Sequence, residues 1–91
     1  MSSGEEKLWF VALAAPAQRA LKRIPSPDRT RISNAIEQMT HDPLQGDVRK
    51  LHGGLEGFCR RVGNWRIFFD VYPNEHRVVI TAIKRRTSTT Y

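Results

Sequence analysis

The apolar positions of this chain switch from strand spacing to helical spacing and back. Lys7 to Leu13 is dense in aromatic and aliphatic residues and predicts a first strand. Pro16 suits the first turn of a helix that places Ala17, Ala20, Leu21 and Ile24 on one stripe. Pro25-Ser26-Pro27-Asp28 interrupts it, and Ser26 or Asp28 can cap a second helix carrying Ile32, Ala35, Ile36 and Met39, which His41-Asp42-Pro43 ends. The two helices form an antiparallel hairpin with apolar faces that need a sheet to cover. Strand formers then return in a short candidate at Val48 to Leu51 and in three longer runs, Phe58 to Val62, Trp65 to Tyr72 and Arg77 to Ile83. The pattern predicts an α+β domain, a two-helix hairpin packed on one face of a small, mainly antiparallel sheet.

Turn chemistry sets the expected register. Gly63-Asn64 signals a two-residue hairpin, because glycine at the first central position permits a type II′ turn. Pairing Val62 with Trp65 then puts Arg61 opposite Arg66, Cys59 opposite Phe68 and Phe58 opposite Phe69. Phe58, Val62, Trp65, Ile67, Phe69 and Val71 fall on the face suited to the helices. A four-residue loop at Pro73 to His76 pairs Tyr72 with Arg77. Continued alternation sends Val78, Ile80 and Ala82 to the core and Val79, Thr81, Ile83 and Arg85 to the face of Arg61 and Arg66. Like charges directly opposite destabilise a sheet by up to about 1 kcal/mol, so this clustering points to an anionic ligand.

Length and charge narrow the function classes. A chain of 91 residues, 40% of them hydrophobic, is one domain with too little core for a deep cavity, which favours a surface acting on a large partner. Residues 1–6 are small and polar and are expected to be disordered, leaving residues 7–91 as the domain. The net charge of +6 is uneven: residues 1–45 hold six basic and five acidic residues, whereas residues 46–91 hold nine and four. Such a patch attracts phosphate backbones or acidic proteins. Cys59 is the only cysteine, which excludes an internal disulfide and fits a reducing compartment such as the cytoplasm. The apolar segment Leu8 to Ala17 follows Glu5 and Glu6 where a secretory signal needs positive charge, and it is too short to span a bilayer, so no membrane association is expected. Histidines 41, 52 and 76 are scattered without metal-ligand spacing, and no cofactor motif is present. Cys59 has no histidine placed to activate it as a nucleophile.

The run Phe58-Cys59-Arg60-Arg61-Val62-Gly63-Asn64-Trp65-Arg66 resembles the pattern aromatic-Arg-Leu-Arg-Val-Gly-Asp-Tyr-Arg of RelE/ParE toxins. Lys50-Leu51 before glycines, Asp70, and the ending Lys84-Arg85-Arg86 through Tyr91 extend the resemblance over almost the whole chain. It implies a RelE-like microbial RNase-type fold of order β-α-α-β-β-β and a toxin of a type II toxin-antitoxin system. In the RelE branch, which the motifs favour, it implies a ribosome-dependent messenger-RNA endoribonuclease that inhibits translation. By resemblance Arg61, Arg66, Arg85 and Tyr91 match the catalytic positions. Cys59 stands where a further lysine or arginine is usual.

Beside these, Lys50, Arg60, Phe68, Lys84 and Arg86 are expected to contact RNA, with Phe68 offering a ring for a base to stack on. Arg60 is anomalous, since its alternating neighbours face the core. Cleavage by the substrate's own 2′-OH needs a proton acceptor, cations for the developing phosphorane charge and a proton for the leaving oxygen. Arginines supply the cations, and Tyr91 is the only candidate to move the proton. The implied partners are a cognate antitoxin, the ribosome and messenger RNA, with no small-molecule cofactor. The competing readings are a ParE-like toxin that inhibits gyrase without nuclease activity and a non-enzymatic nucleic-acid-binding module.

Overall fold

The computed structural model of the protein describes residues 7–51 and 57–86. The elements run β1 (Phe10–Leu13), α1 (Ala15–Arg23), α2 (Asp28–Met39), β2 (Val48–Lys50), β3 (Phe58–Val62), β4 (Trp65–Tyr72) and β5 (Arg77–Arg85). Both helices cover one face of a five-stranded sheet of order β1-β5-β4-β3-β2. Only the β1–β5 pair is parallel. The candidate strand at Val48 to Leu51 is the edge strand β2.

The core lies where the spacing placed it, except that Ile83 replaces Ala82 in β5. Ala17 and Ile24 of α1 and Ile32, Ala35 and Met39 of α2 are buried against Ile67, Phe69, Val78, Ile80 and Ile83 of the sheet. Phe69 and Ile67 are essentially inaccessible, and truncating either to alanine costs about 3 kcal/mol. The N-terminus of α2 is tied to the sheet by Trp65, whose Nε1–H donates to Asp28 Oδ2 at 3.0 Å.

The β3–β4 register is the expected one, from Val62↔Trp65 to Phe58↔Phe69. Gly63 has φ +57° while Asn64 does not enter the left-handed region, which fits the type II′ turn. The β4–β5 hairpin starts as expected with Tyr72↔Arg77 and continues to Phe69↔Ile80. It then departs from simple alternation. Phe68 pairs with Ala82, so Thr81 is an extra residue in β5, a β-bulge. Its hydroxyl donates to the Phe68 carbonyl at 3.2 Å, occupying a backbone acceptor at the irregularity.

The bulge reverses the faces of every later residue in β5. Ile83, not Ala82, is buried in the core, opposite Ile67. Lys84, not Arg85, joins the face of Arg66, its direct partner. Arg85 is turned to the helix side, with its guanidinium carbon 5.8 Å from the centre of the Trp65 ring.

Candidate functional site: a basic open face

The face of the sheet away from the helices is organised in rows across the strands. In the first row Arg61 of β3 stands opposite Arg66 of β4, which stands opposite Lys84 of β5. In the second, Arg49 of β2, Cys59, Phe68 and Ala82 lie side by side. Arg49, Lys50, Leu51, Cys59, Arg61, Arg66 and Phe68 line a concavity of about 350 Å3. Its rim is cationic, and its floor is thiol and aromatic ring.

Arg61 is held from two sides by the segment before β2. Its backbone N–H donates to the Asp47 carbonyl at 3.0 Å, and its Nε lies 3.1 Å from Asp47 Oδ2. The two terminal nitrogens of its guanidinium are left for another anion. Arg49 and Arg66 have no hydrogen-bonded or ion-paired side-chain partner among the described residues. The Lys84 ammonium lies 6.0 Å from the centre of the Phe68 ring.

Cys59 is buried, and desolvation pushes its thiol above the ordinary range although Arg66 and Arg61 pull in the opposite direction. It is therefore a neutral thiol at neutral pH, part of the floor and not a nucleophile. It fills the position that the resemblance would give to another cation, and Arg49, directly opposite on β2, supplies a positive charge beside it.

The expected site residues divide into four groups. Arg61, Arg66, Phe68 and Lys84 come together on the open face. Lys50 pairs with Phe58 and so belongs by alternation to the opposite side, yet on this exposed edge strand it still lines the concavity. Arg86 is exposed beside the β3–β4 turn, its backbone N–H donating to the Asn64 carbonyl at 2.6 Å.

Arg85 and Arg60 are corrections. Arg85 faces Trp65 because of the bulge, so it is not part of the cluster. Arg60 pairs with Ile67 and Val48 on the helix side, where its Nη2 donates to Gln38 Oε1 of α2 at 2.7 Å. Burial there lowers the pKa of its guanidinium, with the Asp47 charge opposing. Gly46, at φ +91°, passes so close to this side chain that a Cβ would meet its guanidinium carbon at 2.8 Å. Arg60 thus braces the loop that carries Asp47, and it does not reach the open face. Tyr91 lies outside the described residues.

Sequence reasoning missed Arg49 and Asp47. Val48-Arg49-Lys50 contained a signal, an apolar residue followed by a basic one in a period-two strand, but without a partner strand its faces had no reference.

This arrangement offers anions three adjacent cations across one sheet and a fourth on its edge. Residues 11–89 match the family described as ParE toxin of type II toxin-antitoxin system, parDE. The chain belongs to the RelE/ParE superfamily of toxins. Among solved structures it is similar to archaeal RelE from the RelE-RelB complex of Pyrococcus horikoshii, with 21% identity, a TM-score of 0.80, and 90% of this chain and 99% of that one covered. It is similar to a chain of the RelBE2 toxin-antitoxin complex of Mycobacterium tuberculosis, with 22% identity, a TM-score of 0.75 and coverage of 87% and 92%. The isolated RelE toxin of E. coli gives 13% identity, a TM-score of 0.78 and coverage of 90% and 88%. Compared with curated protein sequences, the chain has no match. The protein is thus a toxin of a type II toxin-antitoxin system with a RelE-like fold. Among its described residues no helix is long and apolar enough to cross a membrane.

Proposed function

We propose that this toxin is a cytoplasmic, ribosome-dependent messenger-RNA endoribonuclease that stops translation, and that its cognate antitoxin silences it. The single observation that supports the reading most is the row Arg61, Arg66 and Lys84, three like charges set edge to edge on an uncovered sheet face. Such a row costs folding energy and is useful only to an anion.

In this mechanism the 2′-oxygen attacks the adjacent phosphorus and the 5′-oxygen of the next nucleotide leaves and takes a proton from water, giving a 2′,3′-cyclic phosphate and a free 5′-hydroxyl. Arg66 and Arg61 hold the non-bridging oxygens through their forked N–H donors, and Lys84 adds a point charge as the phosphorane forms. Lys84 takes the part that the resemblance assigns to Arg85. Tyr91, which matches the tyrosine that the resemblance assigns to the reaction, accepts the 2′-OH proton. A tyrosine is a weak base at neutral pH, which is why the reaction depends on the ribosome to align the substrate.

The family description favours a second reading, because it names a ParE toxin: the same face engages gyrase through acidic groups and cuts nothing. One induced culture separates the two. The nuclease reading expects protein synthesis to fall first, with cuts inside translated messages and little cutting of naked RNA. Induction of DNA damage with intact messages establishes the gyrase reading instead.

A further inference from the structure

Two neighbouring residues of β3 reach opposite faces of the sheet and meet the same two residues before β2. Arg60 points to the helix side and Arg61 to the open face, as alternation along a strand requires. The guanidinium of Arg60 lies against Gly46, where a Cβ would meet its central carbon at 2.8 Å. Arg61 meets the next residue twice: its backbone N–H donates to the Asp47 carbonyl at 3.0 Å, and its Nε lies 3.1 Å from the Asp47 carboxylate. The segment Gly46-Asp47 is thus held by one arginine on each side of the sheet.

Arg60 is an unfavourable choice for its place if packing is its only task. Burial disfavours its charge, and its Nη1 is buried with no hydrogen-bond partner among the described residues. An apolar side chain of similar length would avoid both penalties. Two interactions need the guanidinium itself. Its Nη2 donates to Gln38 Oε1 at 2.7 Å, which anchors the side chain to α2. The Asp47 charge favours its protonated form, an attraction that acts equally on the Asp47 carboxylate.

On the open face, Asp47 limits the freedom of Arg61. An arginine has a long stem with much rotamer freedom, and a contact at Nε restricts its torsions before an anion arrives. We infer that Arg60 is a positioning residue for Arg61: Gln38, Arg60, Gly46 and Asp47 form a series that links α2 through the sheet to the guanidinium on the other face. The role rests on the proposed RNA cleavage, in which Arg61 holds an oxygen of the scissile phosphate. Its effect falls on rate and not on affinity. A released Arg61 still attracts phosphate, but it adopts the productive geometry less often.

The test uses the full chain and two variants. Arg60→Met keeps an apolar stem and removes the guanidinium; Gln38→Met cuts the anchor at an exposed position without touching either arginine. The first arm needs no RNA and follows hydrogen exchange of the Arg61 Nε–H by NMR. Exchange should quicken by about threefold to fivefold in both variants and in Asp47→Ala, the worth of one exposed ion pair. The second arm is single-turnover cleavage on programmed ribosomes. The maximal rate should fall by about tenfold, while the ribosome concentration giving half that rate stays within about twofold or falls. Asp47→Ala should slow the cut equally, and adding Arg60→Met to it should cause no further loss, because both act through one contact. An Arg61 Nε–H that responds to neither Arg60→Met nor Gln38→Met overturns the positioning role and leaves the nuclease reading standing. Quickened exchange with an unchanged rate, or losses that add in the double variant, overturns it as well. Quickened exchange in variants of a parent chain that cuts no message removes the nuclease reading and leaves Arg60 as the residue that positions Arg61.

Discussion

Lys84 stands directly opposite Arg66, and one extra residue in β5, Thr81, puts it there. Without the bulge Arg85 would occupy that face and Lys84 would point toward the helices. The composition of the basic cluster is thus set by a backbone irregularity two to three residues away from it.

The first prediction separates the two neighbours. Lys84→Gln should lower the salt slope of single-stranded RNA binding by about 0.7, the contribution of one phosphate contact. Arg85→Gln should leave that slope unchanged, since its guanidinium lies over Trp65. Titrations at several salt concentrations decide it, and a slope lost with Arg85 rather than Lys84 would place the strand in the unbulged register.

Why the bulge escaped the sequence follows from Val78-Val79-Ile80-Thr81-Ala82-Ile83. This run is apolar on both parities, so alternation fits Ala82 inside or Ile83 inside equally well. Where the two faces differ in polarity, as in Arg61-Val62 and Trp65-Arg66-Ile67, the expected register is the observed one. The helices were legible for the same reason, with Ile32, Ala35 and Met39 recurring on one otherwise polar segment. Arg60 was legible only as an anomaly. Its position on the helix side makes sense once Gln38 of α2 is there to receive it.

Asp47 pairs with Arg61 at 3.1 Å between exposed groups, so on the proposed function it competes with RNA for that guanidinium. Asp47→Asn should tighten RNA binding by about threefold to fivefold and cost the fold less than about 1 kcal/mol. In an Arg61→Gln background the gain in binding should disappear. A gain that persists there would mean that Asp47 acts on the general field and not on Arg61.

Trp65 couples the second helix to the sheet through its 3.0 Å hydrogen bond to Asp28. Trp65→Phe keeps most of the ring and removes the donor, and should cost about 1 kcal/mol, a fall of roughly 4–8 °C in Tm. RNA affinity should stay at the parental value, because Trp65 lies on the helix side. Calorimetry and binding on the same sample check both halves.

Cys59 gives a pH signature. Burial raises its pKa in the folded chain, so its contribution to stability is complete below the unfolded value, about 8.5, and is lost as pH rises through the folded one. Denaturant midpoints of the parent chain should therefore fall more steeply above about pH 8.5 than those of Cys59→Ala. Identical slopes would show a thiol that ionises as freely in the fold as outside it.

The central claim is that the open basic face cuts messenger RNA on the ribosome. Single-turnover cleavage on programmed ribosomes, with Arg66→Ala beside the parent chain, tests it most directly. Loss of a cation that stabilises the phosphorane should slow the cut by about a hundredfold to a thousandfold and also weaken binding, with the fold intact. Cleavage by Arg66→Ala at nearly the parental rate, or no cleavage by the parent chain at all, would contradict the account.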